Sequence, residues 1–128
     1  MITHLLLVAL GGAIGAVARY GVGLAVAGQD GVEGYWATLI VNVLGCGLMG
    51  ALVAWLSTRG PLAEQTLWLL VGVGMLGAFT TFSSFSKDAM DLMLAGETAR
   101  AALYIGLNLV FSIGAFAAAF LSLRSVMV

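Results

Sequence analysis

Four stretches of this chain are too long and too apolar for the core of a water-soluble domain, and together they take up nearly all of it. They run from about Thr3 to Ala27, Tyr35 to Ser57, Thr66 to Ala95 and Ala99 to Leu123. The hydrocarbon core of a bilayer, about 30 Å thick, takes about 20 apolar residues of helix, so each stretch predicts a membrane-spanning helix. The joints are polar: Gly28 to Gly34 after the first span, Arg59, Gly60, Pro61 and Glu64 after the second, Gly96 after the third, and Arg124 at the end of the fourth. Trp36, Trp55 and Trp68 fall near span ends, where amphipathic indoles sit at the membrane–water boundary. Charged residues make up 9% of the 128, against roughly 25% in soluble domains, and the mean hydropathy is +1.10. That excludes an ordinary soluble domain and a disordered chain.

Other classes fall on the same figures. Lys and Arg number 5 against 6 Asp and Glu, so no basic surplus exists to neutralise phosphates, and nucleic acid is excluded as a partner. Cys46 is the one cysteine and His4 the one histidine, which leaves neither an internal disulfide nor a zinc ligand set. Ala25, Val26 and Ala27 resemble a signal-peptidase site, but no basic residue precedes the apolar run and Arg19 lies inside it, so the first segment reads as a retained helix. The expectation is a single all-α integral membrane domain over residues 1–128.

Positive charge sets membrane orientation, and here it barely chooses. Arg59 and Arg124 fall on one side; Arg100 falls on the other, with Arg19 able to snorkel towards it. So weak a bias permits insertion both ways. Four short helices do not readily enclose an aqueous path alone, so a second copy is the natural partner, in an antiparallel arrangement if both orientations occur.

Polar groups inside the spans carry the chemistry. Two matches to a dinucleotide-binding glycine pattern, Gly45, Gly47, Gly50 and Gly72, Gly74, Gly77, lie inside apolar helices with no strand before them, so they read as close helix contacts. Arg19 is the charge set deepest in an apolar span; with Gly12 and Gly15 it follows an i, i+3, i+7 pattern along a small-residue groove. It reads as a snorkelling anchor or as a cation that draws an anion into a vestibule. Thr38 and Asn42 share a face of the second span, and Tyr104, Asn108 and Ser112 form a stripe up the fourth. Each set reads either as interhelical hydrogen bonding or as donors lining a path, the Asn42 amide being a neutral donor that holds an anion without trapping it.

The segment from Gly77 to Ser86, with Thr80, Thr81, Ser83, Ser84 and Ser86, holds more hydroxyls than packing requires. Gly77 loosens the helix and the hydroxyls satisfy backbone groups released by a break, so the third span is expected to break near its middle. Freed carbonyls at such a break make a small hard-cation site. Phe82 and Phe85, three apart, share a face, and the positive edge of a phenyl ring receives an anion.

These residues resemble a known family. The run ending Thr81, Phe82, Ser83, Ser84, Phe85, Ser86, together with Gly11 to Tyr20 and Thr38 to Asn42, is similar to the CrcB/Fluc fluoride channels over essentially all four spans. The resemblance implies an antiparallel, dual-topology homodimer in the cell (inner) membrane, exporting fluoride passively, with a structural sodium ion at the centre. By position it implies that the Gly77 and Thr80 carbonyls hold sodium, that Phe82 and Phe85 are pore phenylalanines, and that Asn42 is the pore amide. Arg19 becomes the vestibule cation, with Thr38, Tyr104 and Ser112 along the route. Asn108 departs from the small hydroxyl residue often found at its place, Phe116 continues the stripe without a hydroxyl, and Asp88 falls at an acidic position or on a solvated face. The alternative is a small multidrug resistance type proton-coupled exporter, but such antiporters need a membrane-embedded carboxylate and the first span has none. No enzymatic activity is implied.

Overall fold

Lipid offers backbone amides no hydrogen-bond partner, so an apolar chain at membrane depth satisfies them by helix formation wherever it can. The computed structural model describes residues 1–59 and 65–127, and the loop residues Gly60, Pro61 and Glu64 lie outside these. Helix α1 spans Ile2–Ala27 and α2 spans Tyr35–Leu56. The third span, Gln65–Leu94, is divided into α3 (Trp68–Leu76), α4 (Gly77–Phe79) and α5 (Phe82–Leu94). Helix α6, Thr98–Met127, completes the chain; its 30 residues make a rod of about 45 Å, longer than the hydrocarbon core. Among the described residues four segments are long and apolar enough to span a membrane, and the chain is a multi-pass membrane protein.

The helices associate mainly as two pairs, α1 along α3 and α2 along α6, with α5 laid across α6 and α2. Glycines set the close approaches, because without a hydrophobic driving force between helices in lipid, association depends on backbone proximity. A Cβ on Gly11 or Gly15 would run into the Leu70 or Met75 carbonyl of α3, and one on Gly50 into the Phe116 carbonyl of α6. The glycine patterns that imitate a dinucleotide fingerprint serve this packing at Gly45, Gly50 and Gly74.

The third span is broken, but not by Gly77. That residue is helical (φ −62°, ψ −35°); the break falls at Thr80 (φ −80°, ψ 159°) and Thr81 (φ −153°, ψ 117°), both extended. Above it α3 is wound as a π-helix, with the Gly77 N–H reaching the Gly72 carbonyl five residues back. Such winding is rare beyond a single turn. No local pattern foretold it, and it lies where α1 packs against α3 backbone through glycine. Below the break α5 starts from a capped end: the Thr81 hydroxyl accepts the Ser84 N–H at 3.1 Å. It ends at Gly96, whose φ of +78° suits glycine, with the Glu97 N–H returning to the Leu92 carbonyl. The face of α5 bearing Phe85, Ala89 and Leu92 packs on Tyr104 and Ile105 of α6 and on Tyr35 and Leu39 of α2.

Candidate functional site: a polar cavity at the helix break

Breaking a helix at membrane depth frees backbone groups that water cannot satisfy, so something nearby must. Asn42 of α2 does. Its Oδ1 accepts the Thr81 N–H at 2.8 Å and its Nδ2 donates to the Thr81 carbonyl at 3.2 Å, pairing both backbone groups of one residue as a neighbouring strand would. The second Nδ2 hydrogen goes to Asn108 Oδ1 at 3.1 Å, and Asn108 donates to the Tyr104 carbonyl at 3.2 Å. The interhelical reading of Asn42 is therefore realised, and the two in-span amides of α2 and α6 meet. The i→i−4 ladder stops where the Thr80 N–H and hydroxyl both donate to the Leu76 carbonyl, at 3.1 and 3.0 Å.

A cavity of about 220 Å³ opens beside this clasp, lined among others by Asn42, Cys46, Phe82, Phe85, Asn108 and Ser112. Of the stripes predicted on α2 and α6, Asn42, Asn108 and Ser112 thus face one space, joined by Cys46 four residues beyond Asn42, while Thr38 and Tyr104 do not line it. The Phe82 and Phe85 rings stand 5.4 Å apart with planes inclined at 48°. They differ in surroundings: Phe85 is 8% exposed and 5.6 Å from the Tyr104 ring, while Phe82 is 76% exposed on the protomer surface. The Ser112 Oγ is buried with no hydrogen-bond partner.

A second cavity, of about 410 Å³, lies across Thr81 and takes in Arg19, Thr38, Ser84, Lys87 and Asp88. Among the described residues Arg19 has no carboxylate within ion-pair distance, whereas Lys87 pairs with Asp91 at 2.6 Å. The groove proposed for Arg19 along Gly12 and Gly15 is not open throughout: α3 fills it at Gly15, and only Gly12 stays clear of neighbours. Asp88 is not on a solvated face. Its Oδ2 accepts the Thr38 hydroxyl at 2.7 Å and the Tyr104 hydroxyl at 3.2 Å, joining α2, α5 and α6. The sequence held a signal for this, since Asp88 follows Phe85 by three residues and so shares its face.

The site falls into two tiers: Asn42, Phe82, Phe85, Asn108 and Ser112 in one cavity, Arg19 and Thr38 in the other, and Tyr104 buried between Phe85 and Asp88. Gly77 and Thr80 sit at the end of the π-wound segment. The last carbonyls of a helix have no intrahelical partner, so those of Gly77–Phe79 fall outside the ladder. Gly77 is exposed on the protomer surface, and a Cβ there would meet only the Gly72 carbonyl at 3.6 Å. Backbone carbonyl oxygens are hard donors, and those left outside the ladder here are of the kind that suits a hard cation such as sodium.

Comparison with known proteins bears on this arrangement. Residues 6–120 match the family described as CrcB-like protein, Camphor Resistance (CrcB). A Caulobacter sp. (strain K31) protein named fluoride-specific ion channel FluC is 43% identical over 125 residues, 97% of each chain. A protein of the same name from Hyphomonas neptunium is 43% identical over 110 residues, 86% of this chain and 87% of its own, and one from Thermus thermophilus is 48% identical over 99 residues, 77% and 78%. With matches of this extent across all four spans, the chain belongs to the CrcB family, whose relatives here carry the name fluoride-specific ion channel.

Proposed function

We propose that this chain forms a passive, fluoride-selective channel that exports cytoplasmic fluoride across the inner membrane. The observation that carries the reading is the 220 Å³ cavity, which collects the Asn42 and Asn108 amides, the Ser112 hydroxyl and the Phe82 and Phe85 rings at a break in a membrane helix. Hydrogen fluoride crosses membranes as a neutral molecule and ionises inside, so fluoride leaves down its own gradient without energy coupling. To enter, the ion must exchange its water shell for fixed donors. Asn42 and Ser112 supply N–H and O–H groups, and the phenyl rings offer positive edges while their bodies keep water out. Arg19, which among the described residues has no carboxylate within ion-pair distance, draws anions into the larger cavity, whose wall Thr38 and Asp88 share.

The working unit in this reading is an antiparallel homodimer. Phe82, so exposed on one protomer, completes its pore against the second copy, and the small orientation bias lets both topologies form. The carbonyls of Gly77 and Thr80 would hold a structural sodium ion at the centre. When bound, the ion supplies positive charge that offsets the carbonyl dipoles turned out of the helical ladder. The decisive experiment is anion efflux from liposomes holding the purified protein: fluoride is released and chloride retained. Release of both at equal rates, or of neither, contradicts the reading.

A further inference from the structure

We propose that Asn108 sets the channel's affinity for its anion by competing with that anion for the Asn42 amide. The inference rests on the fluoride-channel reading and concerns which groups the ion must displace.

The two amides can be oriented without ambiguity. The Thr81 N–H is a donor and nothing else, so the Asn42 atom facing it at 2.8 Å is the oxygen, and the Asn42 nitrogen faces the Thr81 carbonyl and Asn108. The Tyr104 carbonyl is an acceptor and nothing else, so Asn108 turns its nitrogen towards it and its oxygen towards Asn42. Both ends of the chain of bonds are anchored on backbone, and the contact between the side chains is necessarily N–H···O=C, at 3.1 Å. An amide nitrogen has two hydrogens, and Asn42 has spent both. The pore amide therefore presents no free donor to the cavity it lines.

One bond must give way for an anion to be received. The pairing with Thr81 is held at two points, and Thr81 is itself buried, so releasing it would leave broken backbone unsatisfied. The bond to Asn108 is a single contact between side chains lining the same cavity. It is the one that yields. The Asn108 Oδ1, an acceptor resting on the Asn42 N–H, takes the place an anion would need beside that amide, and fluoride binds by displacing it. Ser112, one turn further along α6, lines the same cavity with a buried, unpartnered hydroxyl ready to donate to the incoming ion.

The test is the fluoride dependence of efflux in liposomes for the wild-type chain and for Asn108→Ser, which shortens the side chain and removes the competing carbonyl. The half-saturating fluoride concentration is expected to fall about three- to tenfold, the range spanned by releasing one neutral hydrogen bond. A half-saturation that is unchanged or raised in a conducting variant overturns the inference while leaving the channel reading intact; a wild-type chain that passes no fluoride overturns both. Asn42 and Asn108 are the chain's only asparagines, so ¹⁵N-asparagine labelling yields just two side-chain NH₂ groups to follow. Fluoride titration of the wild-type protein should move the Asn42 group with the same half-saturation as the flux. If Asn108→Ser does not assemble, this titration decides alone, and an Asn42 signal unmoved at saturating fluoride refutes the proposal.

Discussion

Replacing Asn42 with Asp tests the anion path by charge more than by shape. The variant keeps one oxygen for the Thr81 N–H, but places a second oxygen where Nδ2 stood, 3.2 Å from the Thr81 carbonyl and 3.1 Å from Asn108 Oδ1. Asn108 can turn its NH₂ towards the new oxygen by giving up the Tyr104 carbonyl, so two neutral hydrogen bonds are lost, those to the Thr81 and Tyr104 carbonyls, at about 0.5–1.5 kcal/mol each. Assembly should survive a change of that size. The anion fares worse: a carboxylate about 4 Å from fluoride, at an effective dielectric of about 20, repels it by about 4 kcal/mol. That is a rate factor of about a thousand, since each 1.36 kcal/mol is tenfold. We expect the Asn42→Asp protein to elute by size exclusion as wild type does and to pass about a thousandfold less fluoride from liposomes. Efflux within tenfold of wild type, from a protein with the wild-type elution profile, would refute the placement of the ion beside this amide.

Phe82→Ile and Phe85→Ile should both lower fluoride flux, and Phe85→Ile should also lower the protomer's thermal stability, because Phe85 is 8% exposed within it; lowered stability with normal flux would return both rings to packing. Gly77→Val has room within one protomer, so the chain should insert and fold while dimer assembly or its dependence on sodium weakens, as read by size exclusion with and without sodium; an unaltered dimer in both buffers counts against a cation at this break. Reporters fused to the C-terminus should appear on both sides of the membrane, and a single orientation in every copy rules out the antiparallel dimer.

What could be read from the residues, and what could not, divides along a physical line. The spans were legible because bilayer thickness imposes a length on apolar runs; α1 and α2 end within a residue or so of the expected bounds, and only α6 overruns, to Met127. The facing stripes of α2 and α6 were legible because a helix repeats every 3.6 residues. The place of the break was not. Gly77 invites flexibility but stays helical, and Thr81 is drawn into extended backbone by Asn42, thirty-nine residues earlier in the chain, a partner no local pattern exposes. The π-winding of α3, packed against α1 at Gly11 and Gly15, has no signal in the local sequence either. Asp88 was ambiguous because a single carboxylate on an amphipathic helix faces water unless hydroxyls from two other helices reach it, as those of Thr38 and Tyr104 do.

The central claim, that fluoride occupies the cavity between Asn42 and the two phenylalanines, is tested most directly by locating the ion. Liposome samples of the ¹⁵N-asparagine protein loaded with fluoride allow ¹⁹F–¹⁵N dipolar dephasing to be measured on the two side-chain nitrogens. The account predicts dephasing of the Asn42 signal that corresponds to hydrogen-bond contact, about 2.7–3.2 Å. An Asn42 nitrogen with no fluoride near it, in a sample that conducts fluoride, contradicts the account.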